Sequence, residues 1–168
     1  MLKKIKIIVF ALIVLGVPGF FLGKKFFRKK EIQQDLNSEF STSSVINIDK
    51  RNYECDFSHF SGKTNITVNK PASIKGMSLE WNNGKQKISI DNIDKNYESY
   101  VFPENSFINL IVKILNNLST LKIEKIDDDG RYQTYKGFID KIEFEITAEK
   151  SKILEIFIKS KNAKITFD

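Results

Sequence analysis

The residues with the widest chemical scope are Cys55 and His59, the only cysteine and the only histidine of the chain. A thiol or hydroxyl nucleophile needs a base beside it, so any Cys/His or Ser/His centre would have to recruit His59. The spacing argues otherwise. Cys55 alternates with Tyr53 and Phe57 on the apolar side of a strand, where a thiol packs as a small hydrophobe. His59 stands next to Phe60, where the strand pattern breaks, and reads as a strand-end or surface histidine. Zinc needs three or four convergent Cys, His or carboxylate ligands, a set this sequence does not offer. Asp127-Asp128-Asp129-Gly130 lacks the alternating acids and distant glutamate of a calcium loop and reads as a hairpin turn. Glu143 and Glu145 flank Phe144 and therefore belong to a solvated strand face. Neither a glycine-rich phosphate loop nor a Gly-x-Ser-x-Gly elbow is present. No catalytic residue, metal ligand or cofactor is assigned, and the chain is not expected to be an enzyme.

The segment that positions everything else is the first. Ile7 to Gly23 carries no charge and is closed on both sides by lysine and arginine. Its 17 residues make roughly 25 Å of helix, just short of a ~30 Å hydrocarbon core. Phe26 and Phe27 extend it, with Lys24 and Lys25 snorkelling. A retained single-pass transmembrane helix over about 7–23 is expected, because no Ala-x-Ala cleavage site follows it. Residues 1–30 hold eight Lys or Arg and no acid, so with a chain charge of +6 the remainder sums to −2. The basic character belongs to the anchor, and nucleic acid is not an expected partner. The lysines beyond the anchor point to a cytoplasmic domain by the positive-inside rule. The Met-Leu-Lys-Lys start points to export, with those lysines on anionic headgroups. Export is preferred, giving a cell-membrane protein with an extracytoplasmic domain.

Three parts follow: the anchor at 1–30, a polar stalk at 31–51 rich in Gln, Asn and Ser, and a β-rich domain at 52–168. Within the domain, alternation sets the strands: Tyr53/Cys55/Phe57, Ile66/Val68, then Ile74 with Met77/Leu79/Trp81 and a bulge at Gly76. Asn82-Asn83-Gly84 is a hairpin turn, Ile88 and Ile90 continue beyond it, and Tyr100 with Phe102 closes a fifth strand. The period then changes. Phe107, Leu110, Ile111, Ile114, Leu115 and Leu118 form one helical stripe, with Asn105 or Ser106 as its cap. Strands resume through Leu121/Ile123, Tyr132–Ile139, Ile142/Phe144/Ile146, Leu154/Ile156/Ile158 and Ala163/Ile165/Phe167. About ten short strands with turns between them make an antiparallel sheet, and the stripe must lie on it. The fold class is α+β: a curved antiparallel sheet, a half-barrel, with one amphipathic helix packed on it.

Aromatic residues make up 12% of the chain, many at inward strand positions. A lone helix against a curved sheet can enclose an apolar cavity suited to a lipid tail, or it can close on a filled core. In either case the candidate ligand- or partner-binding residues are Trp81, Phe102, Phe107, Leu110, Ile111 and Ile114.

The order of elements resembles the LolA/LppX-like family of lipoprotein carriers, most closely its members in Gram-positive spore formers of the GerS type. The resemblance lies in NYECDFSHF with KTNITVNKP, MSLEWNNGKQKISI, FPENSFINLIVKILNN and the closing stretch from Tyr135 to Phe167. It implies a non-enzymatic domain that binds an envelope protein such as a cell-wall amidase, in the setting of sporulation or germination. The alternative it carries is a lipid or lipoprotein chaperone. A second copy of the chain stays open as a partner. The sequence departs from the family in having no lipidated cysteine, so the helix itself would be the anchor. Lys150-Ser151-Lys152 also stands where the family has a proline.

Overall fold

The computed structural model describes residues 36–82, 84–90, 93–97 and 102–168. The expected span Ile7–Gly23 lies outside them, and among the described residues no helix is long and apolar enough to cross a membrane.

Eleven strands form one antiparallel sheet: β1 (Phe40–Ile48), β2 (Arg51–Phe60), β3 (Lys63–Lys70), β4 (Ser78–Asn82), β5 (Lys85–Ile90), β6 (Ile93–Tyr97), β7 (Ile123–Asp128), β8 (Tyr132–Ile139), β9 (Ile142–Glu149), β10 (Lys152–Ile158) and β11 (Ala163–Phe167). Their order is β6-β5-β4-β3-β2-β1-β11-β10-β9-β8-β7. Two meanders are thus joined at the middle, where β1 pairs with β11 from Ser44↔Phe167 to Ile48↔Ala163. The single helix of the described residues, α1 (Phe107–Asn117), falls between β6 and β7, the two outer edges. A connection between opposite edges has to cross a face, so the topology lays α1 across the sheet. The sheet curves around it.

Alternation decides which side chains meet the helix. Cys55 and Phe57 on β2, Ile66 and Val68 on β3, Leu79 and Trp81 on β4, Phe144 and Ile146 on β9, Ile156 and Ile158 on β10, and Ile165 and Phe167 on β11 are all buried. Phe40, Phe57 and Phe167 meet with ring centroids 4.9–5.7 Å apart, tying β1, β2 and β11 together at mid-sheet. All six residues of the expected helical stripe are buried. Ser106 caps the helix, its Oγ accepting from Asn109 N–H at 3.4 Å.

Several expectations are corrected. The stretch read as a stalk instead supplies β1, hydrogen-bonded on both sides at the centre of the sheet. Its serines disguise an alternating strand in which Ser44 and Ile46 face inward, and Ser44 Oγ donates to Cys55 O at 3.3 Å. The domain therefore includes residues well before 52. Gly76 is not a bulge within a strand. It has φ +84° in the β3–β4 connection after one 3-10 turn, Ala72–Ile74, and its N–H donates to Val68 O. The fifth strand is β6, at Ile93–Tyr97; Phe102 lies beyond it in the approach to α1, and Tyr100 is outside the described residues. On β10 the inward residue is Ile153 rather than Leu154, because the pairing with β9 slips between Ile153 and Glu155. A bulge of this kind moves every residue on one side of it to the other face. His59 is not at the surface. It continues the Cys55/Phe57 face and is 2% exposed.

Candidate functional site

Of the six candidate residues, two meet at the approach to α1 and the other four lie on the buried side of the helix. Trp81 stacks on Phe102 with centroids 5.9 Å apart and 24° between planes. Phe107, Leu110, Ile111 and Ile114 face the same core, the last three fully excluded from solvent. Burying four such side chains contributes on the order of 1.5–3 kcal/mol each before ordering entropy is charged.

A residue that the periodicity left as polar helix surface holds this junction together. Asn109 is 3% exposed. Its Oδ1 accepts from Trp81 Nε1–H at 2.8 Å and from Gln86 Nε2–H at 3.0 Å. Its Nδ2 donates to the carbonyls of Phe102 at 3.0 Å and Pro103 at 2.9 Å. Gln86, 4% exposed, also accepts from Phe102 N–H at 3.3 Å through Oε1. One amide side chain thus ties β4, β5 and the 102–103 segment to the helix. Among the described residues no buried side-chain nitrogen or oxygen lacks a partner. Two signals in the sequence pointed to this. A buried Trp indole requires an acceptor, and Gln86 shares strand parity with Ile88.

Nothing in this arrangement is set up for bond-making chemistry. Cys55 is 2% exposed, and burial, followed by the nearby Asp56 charge, pushes its thiol up to about 11. At pH 8 the native domain should therefore resist iodoacetamide and react quickly only in urea; fast native labelling, followed by mass spectrometry, would contradict this burial. His59 Nδ1 lies 2.7 Å from Thr64 Oγ1 in the interior. Burial holds its pKa below 6.5, against a smaller upward pull from the Glu39 carboxylate.

That shift has a sign. The unfolded chain takes up the His59 proton near its ordinary pKa while the folded chain does so only at lower pH. The stability of the neutral form is thus complete above about pH 6.5 and is lost as pH falls below it. Urea midpoints should drop between pH 7 and pH 5.5, and His59→Gln should flatten that part of the profile. An equal slope in both proteins would assign the loss to other groups.

The acidic turn behaves as a turn. Asp129 Oδ1 accepts from the N–H groups of Tyr132 at 2.6 Å and Arg131 at 2.9 Å, and Asp128 Oδ1 accepts from Gly130 N–H at 3.0 Å. These backbone donors lower the Asp129 pKa, while Asp128 is lowered first by Lys125 and then by Gly130. Among the described residues no three His, Cys, Asp or Glu side chains stand together as metal ligands.

A groove of about 230 Å³ lies where β11 ends, between Phe40, Thr42, Ile153 and Phe167. The large apolar side chains most open to solvent on the β7–β8 edge are Ile126 at 48% and Phe138 at 55%.

Among the described residues the architecture is a single large antiparallel sheet carrying one helix across its inner face. No protein-family profile and no curated protein matches the sequence. Among solved structures, an uncharacterized conserved protein from Thermus thermophilus is similar at TM-score 0.49 and 9% identity, covering 83% of this chain and 78% of that one. A LolA superfamily protein from Nitrosomonas europaea is similar at TM-score 0.40 and 8% identity, covering 79% and 68%. A chain in the structure of the CwlD amidase from Clostridioides difficile in complex with the GerS lipoprotein gives TM-score 0.37 and 14% identity, covering 83% and 86%. At this level the similarity assigns no family.

Proposed function

We propose that this chain is a membrane-anchored, extracytoplasmic, non-enzymatic binding domain of LolA-like type that engages another envelope protein, with a GerS-like role toward a cell-wall amidase. The observation that carries this reading over a lipid carrier is the closed helix–sheet junction. Trp81, Gln86, Phe102 and Asn109 satisfy one another's hydrogen bonds or stack, and Leu110, Ile111 and Ile114 fill the space behind them. A carrier would have to break this network for every lipid it loads. A binding domain needs it intact as a rigid support for its outer surface. The surface on offer is the β7 edge, where Glu124–Asp128 are all exposed, with Ile126 and Phe138 as its apolar contacts. Strand edges with exposed apolar side chains accept partner strands.

The test is a paired measurement on the purified full-length chain. Organic extraction and mass spectrometry should find no stoichiometric lipid, while the host's purified cell-wall amidase should bind and lose affinity when Ile126 is changed to Asp. Stoichiometric lipid with no amidase binding would select the carrier, with Trp81, Phe102, Phe107, Leu110, Ile111 and Ile114 as its lining. Labelling of an engineered surface cysteine in a Cys55→Ser background by an impermeant maleimide on intact cells tests the exported orientation. Protection until lysis would place the domain in the cytoplasm and end both envelope readings.

A further inference from the structure

Residues 36–168 hold 19 Lys or Arg and 19 Asp or Glu, so the described domain with its loops is neutral overall. The charges are nevertheless sorted. In an antiparallel sheet of this order, the β1–β2, β3–β4, β8–β9 and β10–β11 connections all emerge at one end. That end carries Lys50, Arg51, Lys75, Lys141, Lys159 and Lys161, and among the described residues none of them forms an ion pair or side-chain hydrogen bond. Of the acids there, Asp140 is held by Lys113 at 2.6 Å, Glu54 by Lys70 at 2.9 Å and Glu143 by Lys136 at 2.6 Å; Asp49 and, near the start of β6, Asp94 stand at this end as well. The opposite end carries the Asp127–Asp129 turn together with Lys85, Lys150 and Lys152. Strand spacing of about 4.8 Å spreads the basic connections from β4 to β8 over roughly 30 Å. Ile90, 47% exposed, ends β5 at this end, beyond that span, and half-buried Ile74 lies in the β3–β4 connection.

The β1–β2 turn has Asp49 at φ +51° and Lys50 at φ +65°, and the β8–β9 turn has Asp140 at +50° and Lys141 at +67°. Two-residue turns with both φ positive favour glycine at the second position. Lysine sits there at a conformational cost, as Lys150 does at φ +56° in the β9–β10 turn at the opposite end.

We infer that this end of the sheet is a docking face for an anionic bilayer. A line of unpaired, long-stemmed cations with exposed Ile90 beyond one end of it fits a plane of acidic headgroups. A pocket for one small anion would instead converge its cations. The inference does not depend on the proposed protein partner.

The test uses the full-length chain reconstituted in phosphatidylcholine nanodiscs and challenged with vesicles. Capture by vesicles containing phosphatidylglycerol should exceed capture by pure phosphatidylcholine and should weaken with salt. Changing Lys50, Lys159 and Lys161 to Glu should reduce capture by about tenfold or more. The same charge change at the other end (Lys85, Lys150 and Lys152 to Glu) should leave capture of added vesicles within about twofold, since those residues lie a strand's length from the proposed face. The anchor segment is common to all three proteins and cancels. Lys50→Gly with Lys141→Gly provides a variant that relieves the turns, and it should weaken capture without lowering the melting temperature. Equal losses in both triple variants, no loss in the first, or displacement by soluble polyphosphate as readily as by phosphatidylglycerol vesicles would overturn the inference.

Discussion

Asn109→Leu should destabilise the domain by about 3–5 kcal/mol, a large share of the ~5–15 kcal/mol that domains of this size have. Leucine keeps the branching at Cγ and has the higher helix propensity, so a loss cannot come from propensity and reports the polar contacts and the fit of the two methyl groups. The indole N–H of Trp81 and the amide of Gln86 both lose their acceptor in the interior, and each orphaned donor forfeits roughly 1–3 kcal/mol. The carbonyls of Phe102 and Pro103 lose a donor but lie nearer solvent and can recover water. Trp81 is the only tryptophan of the chain, so its emission in a urea titration reports on this junction directly. Asn109→Asp separates the two halves of the network, because it keeps acceptors for Trp81 and Gln86 while turning a carboxylate toward two carbonyl oxygens. It should be destabilised at pH 7 and recover partly on acidification, when the carboxyl gains a proton to donate. A loss below about 1 kcal/mol for Asn109→Leu would mean that the helix is held by apolar packing alone.

The same junction shows how far the sequence could be read. Period 3.6 from Phe107 to Leu118 identified the helix and its buried stripe, because those depend on spacing alone, and it left the cap between Asn105 and Ser106, of which the structure uses Ser106. That a single helix must cover a sheet face followed from having no other partner for the stripe. Asn109 was missed because periodicity sorts residues by polarity. An asparagine between Ile108 and Leu110 counts as surface until the demand of Trp81 for an acceptor is set against it. β1 was missed for a related reason. Ser41 to Ser44 has the composition of a linker, and only its long-range partners, β2 on one side and β11 on the other, make it a central strand. The bulge on β10 is likewise invisible locally, since Leu154 and Ile153 are equally apolar and pairing with β9 decides which one turns inward. His59 was read as the point beside Phe60 where the strand pattern breaks, when its parity with Cys55 and Phe57 was the better guide.

The two halves of the sheet also have different duties in the readings above. The β1–β6 meander contributes Trp81 and Gln86 to the network that fixes the helix. The β7–β11 meander carries the open edge. A perturbation confined to β8 should therefore loosen the edge while leaving the junction intact.

Gly137→Ala is that perturbation, with an expected cost of about 2–3 kcal/mol. Gly137 faces inward on β8, between Ile123 on β7 and Phe144 on β9, its direct cross-strand partners. A methyl group there would lie 2.5 Å from Cζ of Phe144 and 2.8 Å from Cγ2 of Ile123. The Phe144 ring is 1% exposed and closed in by the core, so it cannot swing clear without displacing Ile146 and its neighbours. The easier response is for Ile123 to move, because β7 has one sheet neighbour and five exposed residues in succession. Amide exchange should accordingly rise first in Ile123–Asp128, ahead of β9 and β10, and the tryptophan signal of the junction should change little. Trimming the ring with Phe144→Leu in the alanine variant should recover part of the loss, a coupling that two independent sites would not show. Wild-type stability and exchange in Gly137→Ala would mean that the edge accommodates the methyl freely. If the edge does loosen, partner affinity measured on this variant tests the β7 surface without altering any residue that touches the partner.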